Sequence, residues 1–140
     1  MMKMKLYLRV IGRILILIEK QCDLCNLGEY NRNKGREHCI TGNGNINNNI
    51  MFVGDFISQN DSIFGNSFSG NVGSLLNECI EKAGYKRSDV YTTMLVKCNT
   101  KGGVNPKTTE INICSKLLEK EIEVIKPKVI VALGAMAAKY

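Results

Sequence analysis

Three short apolar runs set the strongest constraint on this chain: Ile50–Val53, Val90–Val96 and Val129–Leu133. Each is short, rich in branched residues and bounded by polar or glycine-containing segments, the pattern of strands buried in a sheet. Between them the apolar residues change to helical spacing. Val72, Leu75, Leu76, Cys79 and Ile80 predict one helix, with Gly84 at its C′ position. Ile111, Cys114, Leu117, Leu118, Ile122 and Ile125 predict another, opened after Pro106 with Thr108 or Thr109 as N-cap and ended by Pro127. Gly134 turns the chain, and Ala135–Tyr140 reads as the first turns of a further helix. Strands alternating with helices specify an α/β fold with a mainly parallel sheet, and parallel strands need both faces covered. The expected architecture is three layers, α/β/α, in a single domain over residues 1–140 that is incomplete at its C-terminus.

Length supports that reading, since 140 residues suffice for one domain and one core. The segment Leu6–Ile18 carries Leu8, Ile11, Ile14, Leu15 and Ile18 at helical spacing and predicts an amphipathic helix packed on the core. Arg9 and Arg13 interrupt it and no small-residue cleavage site follows, so it does not read as a signal peptide. It is also too short and charged to span a bilayer. The expectation is a cytoplasmic protein with no membrane partner, its cysteines reduced or bound to metal. The stretches Asn43–Asn49 and Ser58–Asn71 are rich in Asn, Gly and Ser and read as a turn region and a loop. No internal repeat is visible.

The formal net charge of +6 suits a phosphate-rich partner without specifying one. Basic residues gather in Arg32–Arg36 and Lys97–Lys107, which fit a solvated surface as readily as a nucleic-acid contact.

Six cysteines are many for this length. Cys22 and Cys25 form a CxxC, and two thiolates so spaced can face one metal centre. Cys98 lies at a strand end and Cys114 on a predicted helix, far away in sequence. One close pair and two distant thiols can hold zinc or an iron–sulfur cluster, and spacing alone favours zinc because structural zinc is common. Cys79 falls on an apolar helical stripe and reads as core. Cys39 adjoins His38 in a polar loop, where a surface position is the simpler reading than a ligand pair.

The order of these segments resembles that of the family-four, iron–sulfur uracil-DNA glycosylases. The similarity rests on the CxxC with Leu27 and Gly28, on Met51-Phe52-Val53-Gly54-Asp55, and on Gly65, Phe68, Gly70, Gly73, Leu75 and Leu76. It continues through Val90-Tyr91, Val96-Lys97-Cys98, Glu110 to Cys114, and Lys126 to Gly134, covering about residues 8 to 138. It implies that Cys22, Cys25, Cys98 and Cys114 hold a structural [4Fe–4S] cluster, and with four cysteines in register iron–sulfur displaces zinc as the expected metal.

The resemblance also implies a substrate site. A glycosylase takes a base out of the stack into a pocket, polarises the glycosidic bond and admits water. Gly54 and Asp55 fall where the family places its water-positioning motif, usually Gly-Glu-Ala-Pro-Gly; here the stretch reads Gly54-Asp55-Phe56-Ile57-Ser58. Asp55 keeps a carboxylate, while Phe56 and Ile57 are bulky where backbone would approach the ligand. Phe68 matches the aromatic that stacks on uracil. Met94 stands where the family carries the asparagine that reads the uracil edge, and it offers no paired hydrogen bonds. A His-Pro-Ser type loop would lie beyond residue 140, and His38 is misplaced to substitute for it. The expected function is a uracil-DNA glycosylase-like protein of base-excision repair, acting on uracil in single- or double-stranded DNA, with weak or no activity as the chain stands. The alternative is a non-catalytic [4Fe–4S] domain that binds nucleic acid or serves as a scaffold.

Overall fold

The computed structural model describes residues 6–11, 14–19, 22, 24–34 and 40–140, with residues 6–11, 14–19 and 32 described as backbone. His38 and Cys39 lie outside the described residues.

The element order is β1 (Leu6–Ile11), β2 (Ile14–Glu19), α1 (Asn26–Asn33), β3 (Asn43–Gly44), β4 (Ile50–Ile57), α2 (Gln59–Phe64), α3 (Gly70–Lys82), β5 (Tyr91–Asn99), α4 (Thr108–Ile125), β6 (Val129–Leu133) and α5 (Ala135–Lys139). The main sheet has the order β3-β5-β4-β6. Strand β4 pairs in parallel with β5 and with β6, and only the short β3 runs antiparallel. The mainly parallel α/β sheet expected from the alternation is therefore present. Every residue of β5 is buried, as a central parallel strand covered on both faces requires.

The first segment differs from expectation. Leu6–Ile18 is not a helix: β1 and β2 form an antiparallel pair from Leu6↔Glu19 to Ile11↔Ile14. The same residues also read with period two, as Leu6, Leu8, Val10 and Ile14, Ile16, Ile18. The β-branched Ile and Val content favours the pleated form, and helical spacing alone does not decide so short a run.

Helix α2 lies in a stretch expected to be loop. Ser58 Oγ accepts from the amide of Asp61 while the Asp61 carboxylate accepts from the amide of Ser58, a reciprocal capping box. Asp61 is buried and also takes the amide of Ser69, so one carboxylate ties together the starts of two helices.

Helix α3 ends as its sequence predicts. Gly84 has φ +85°, its amide donates to the carbonyl of Glu81, and the next amide, of Tyr85, reaches Ile80. These two bonds make a Schellman motif. The buried face of α3 is Gly73, Leu76 and Ile80. Cys79, expected in the core, is exposed with Val72 and Leu75. Two apolar stripes run along this helix, and the one without Cys79 faces the sheet. Among the described residues no helix is long and apolar enough to cross a membrane.

Candidate functional site

Strand β4 does not stop at Gly54; it continues to Ile57, with a bulge between Phe56 and Ile57. The stretch whose backbone the resemblance places against a ligand is thus, up to Ile57, strand. Ile57 is fully buried and Phe56 packs against the main core, so both bulky side chains serve the interior rather than crowding a ligand loop.

Gly54 sits in mid-sheet, opposite Met94 on β5 and Leu133 on β6. Three residues singled out in the sequence meet here. A Cβ on Gly54 would lie 2.8 Å from Cζ of Phe68 and closer still to Sδ of Met94. Met94 is buried in a small cluster with Ile40 and Ile57, against which Phe68 packs. Phe68 holds φ +56°, unusual for a residue with a side chain. Its carbonyl lies where Gly73 would carry a Cβ. Glycine at position 73 thus allows the backbone turn that lays the Phe68 ring over Gly54. An aromatic face, a bare backbone segment and the side chain at position 94 define one small apolar site, and Met94 fills the space beside the glycine.

Asp55, the neighbouring residue in the strand, projects to the other face of the sheet. Its Oδ1 accepts from the amide of Ala137 at 2.8 Å, near the start of α5. Gly134, at φ +127°, is needed there because a Cβ would collide with that carboxylate. Asp55 is thereby oriented, and it fixes the turn from β6 into α5.

Cys98 stands near the far end of β5, and Cys114 on α4 lies against the same strand. Cys22, Cys98 and Cys114 are buried and Cys25 is half-buried. Asn31 joins the two halves of this region: its Nδ2 donates to the carbonyl of Leu27 at 2.7 Å and to that of Asn99 at 3.0 Å, docking α1 beside Cys98. The Lys97 amide donates to Sγ of Cys114 at 3.1 Å. Burial pushes the Cys114 thiol up to about 11; Lys97 opposes the shift, while Cys22 and Cys25 are near enough to add to it. Among the described residues, no three His, Cys, Asp or Glu side chains are drawn together as the ligands of one metal ion. As a donor set, buried thiols with an amide aimed at one sulfur suit an iron–sulfur cluster, whose sulfurs are typically hydrogen-bonded.

Next to the cysteines lies a network that sequence reasoning missed. Lys97 Nζ reaches Glu121 at 2.6 Å with both side chains buried. Nζ also donates to the carbonyl of Met94, and Thr93 Oγ1 donates to Glu121 at 2.7 Å. The other Glu121 oxygen takes the amide of Gly42 at 3.2 Å. In the sequence Lys97 belongs to the basic stretch Lys97–Lys107 and to the family-like run Val96-Lys97-Cys98, and neither signals a buried ion pair.

The family model of the uracil DNA glycosylase superfamily matches residues 41–140. Type-4 uracil-DNA glycosylase of Saccharolobus solfataricus is 36% identical over 122 residues, covering 86% of this chain and 54% of that protein. The Thermotoga maritima protein of the same name is 36% identical over 121 residues, covering 86% of this chain and 60% of the relative. The corresponding protein of Pyrobaculum aerophilum is 33% identical over 120 residues, covering 86% and 59%. The chain thus spans little more than half the length of the curated relatives it matches. With most of its length under the family model, and with the sheet and helices already described, the chain belongs to the uracil DNA glycosylase superfamily.

Proposed function

We propose that this chain serves DNA base-excision repair as a uracil-DNA glycosylase-like protein, carrying a [4Fe–4S] cluster on Cys22, Cys25, Cys98 and Cys114. The observation that carries the reading is the convergence of Phe68 and residue 94 over Gly54. Phe68 would stack on a base extruded from single- or double-stranded DNA, Gly54 would let backbone approach its edge, and residue 94 would read that edge. In such a reaction water forms a bond to the sugar C1′ as the bond from C1′ to the base nitrogen breaks, and the electron pair leaves with the base. Asp55, oriented by Ala137, is the group we assign to positioning the water. The cluster, when bound, supplies a tie between the Cys22–Cys25 segment and the β5–α4 unit. A cytoplasmic setting, where thiols stay reduced, suits it.

Met94 cannot make the paired hydrogen bonds that select uracil, and it occupies the space beside Gly54. Excision by the 140-residue chain is therefore weak or absent. A second reading, a non-catalytic [4Fe–4S] nucleic-acid-binding domain, is favoured by that filled site and by the engagement of Asp55 Oδ1 with Ala137.

A uracil-containing oligonucleotide, incubated with protein and cleaved at abasic sites by alkali, separates the two. Under the first reading Met94→Asn raises excision and Asp55→Asn abolishes the gain. If Met94→Asn folds and binds the oligonucleotide but excises nothing, the second reading stands. Robust multiple-turnover excision by the unaltered chain would contradict the role given to Met94.

A further inference from the structure

We infer that the groove between the start of α1 and the β5–α4 loop binds one phosphodiester of a nucleic-acid strand, at a distance from the base site. Its polar lining comes from Asn26, Thr100, Lys101, Asn105 and Lys107. Lys101 and Lys107 are exposed, and each presents a charge that no carboxylate in the described residues is seen to pair. Lys101 is also held in place, its Nζ lying 5.2 Å from the centre of the Tyr30 ring. The carboxylate that lines this groove, Glu110, is already engaged: its Oε2 accepts from the backbone amide of Lys107 at 2.8 Å.

The observation that points to a ligand is Thr100. It is only 2% exposed, it lines the groove, and its Oγ1 is a buried hydroxyl with no hydrogen-bond partner among the described residues. Buried polar groups are almost always paired, because an unmade hydrogen bond costs the desolvation of the group outright. An unpartnered hydroxyl on a residue that lines the groove together with two lysines, in a chain of net charge +6, matches a negatively charged acceptor with several oxygens. Such a contact fixes the strand without reading its sequence.

The inference rests on the reading of the chain as a DNA-binding protein. Its test uses an oligonucleotide without uracil, so a failure to excise leaves it untouched. Binding of the full, anaerobically prepared chain to a labelled single-stranded oligonucleotide is measured by anisotropy across a range of salt. Lys101→Gln with Lys107→Gln should lower the steepness of log K against log salt by about 0.7, the value of one phosphate on a single strand. Thr100→Val, which removes the hydroxyl and no charge, should weaken binding about tenfold with the slope unchanged. Lys82→Gln, at the exposed end of α3, should alter neither. If Thr100→Val is more stable and binds DNA as before, the hydroxyl is a packing defect and the inference fails. It fails too if the slope survives loss of both lysines, or if inorganic phosphate saturates the groove without competing with the oligonucleotide.

Discussion

Lys97 touches Cys114 through its backbone and Glu121 through its side chain, so one residue of β5 joins a sulfur site and a buried ion pair on the same helix. The cysteine end of α4 and the sheet are therefore mechanically one unit, and any ligand held by Cys114 would bear on stability as well as chemistry.

Anaerobically purified protein should be brown and hold about four irons, as four thiolate ligands of a [4Fe–4S] cluster require. Cys98→Ser should bleach it and lower the melting temperature. Stoichiometric zinc without iron, found by elemental analysis, would overturn the assignment.

Cluster-free protein should lose stability in alkali. The Cys114 thiol is raised by burial from 9.0 to about 11. The unfolded chain therefore gives up this proton first, and the folded state binds more protons between those values. Stability is full below about pH 9 and falls as pH rises to about 11. Urea unfolding below, within and above this window should show the decline, and Cys114→Ser should flatten it.

Removing half of the Lys97–Glu121 pair should be severe. Glu121→Ala leaves a buried ammonium without its carboxylate, at a cost of about 3–5 kcal/mol. Lys97→Met combined with Glu121→Leu removes both charges and should restore much of the loss. A double variant as unstable as Glu121→Ala in chemical denaturation would show that the two residues act separately.

The crowding over Gly54 should appear as coupling. Gly54→Ala places a methyl group against Met94 and Phe68 and should destabilise by about 1–3 kcal/mol. Met94→Ala opens the space, so the two changes together should cost less than their sum. Strict additivity in a double-mutant cycle would mean that the three residues do not share one cavity.

Much of the fold was legible because its largest elements obey simple periods. β6 and α4 lie within a residue of their expected positions, since Pro127 and the β-branched run at Val129 leave few alternatives. The Leu6–Ile18 segment fits both periods, and pairing between its halves is a tertiary fact that no window reveals. The Ser58–Asp61 capping box was readable in sequence but was hidden within a stretch rich in loop-forming residues. Cys79 is exposed although it lies on an apolar stripe, because α3 carries two such stripes and only packing decides which one the sheet covers. At the site, Gly54, Phe68 and Met94 were individually legible through the family pattern. That Met94 fills the pocket, and that Asn31 docks α1 beside the cysteines, depends on contacts between residues distant in sequence.

The sheet order also sets a timetable. Strand β4 is synthesised before either of its parallel neighbours, because β5 and β6 both follow it in the chain. While the ribosome is still making α4, β4 can pair on one side only, and its other edge waits for β6. Unpaired strand edges exposed during synthesis are where nascent chains aggregate. A chain shortened before Val129–Leu133 leaves that edge of β4 open and should therefore aggregate more than the 140-residue chain.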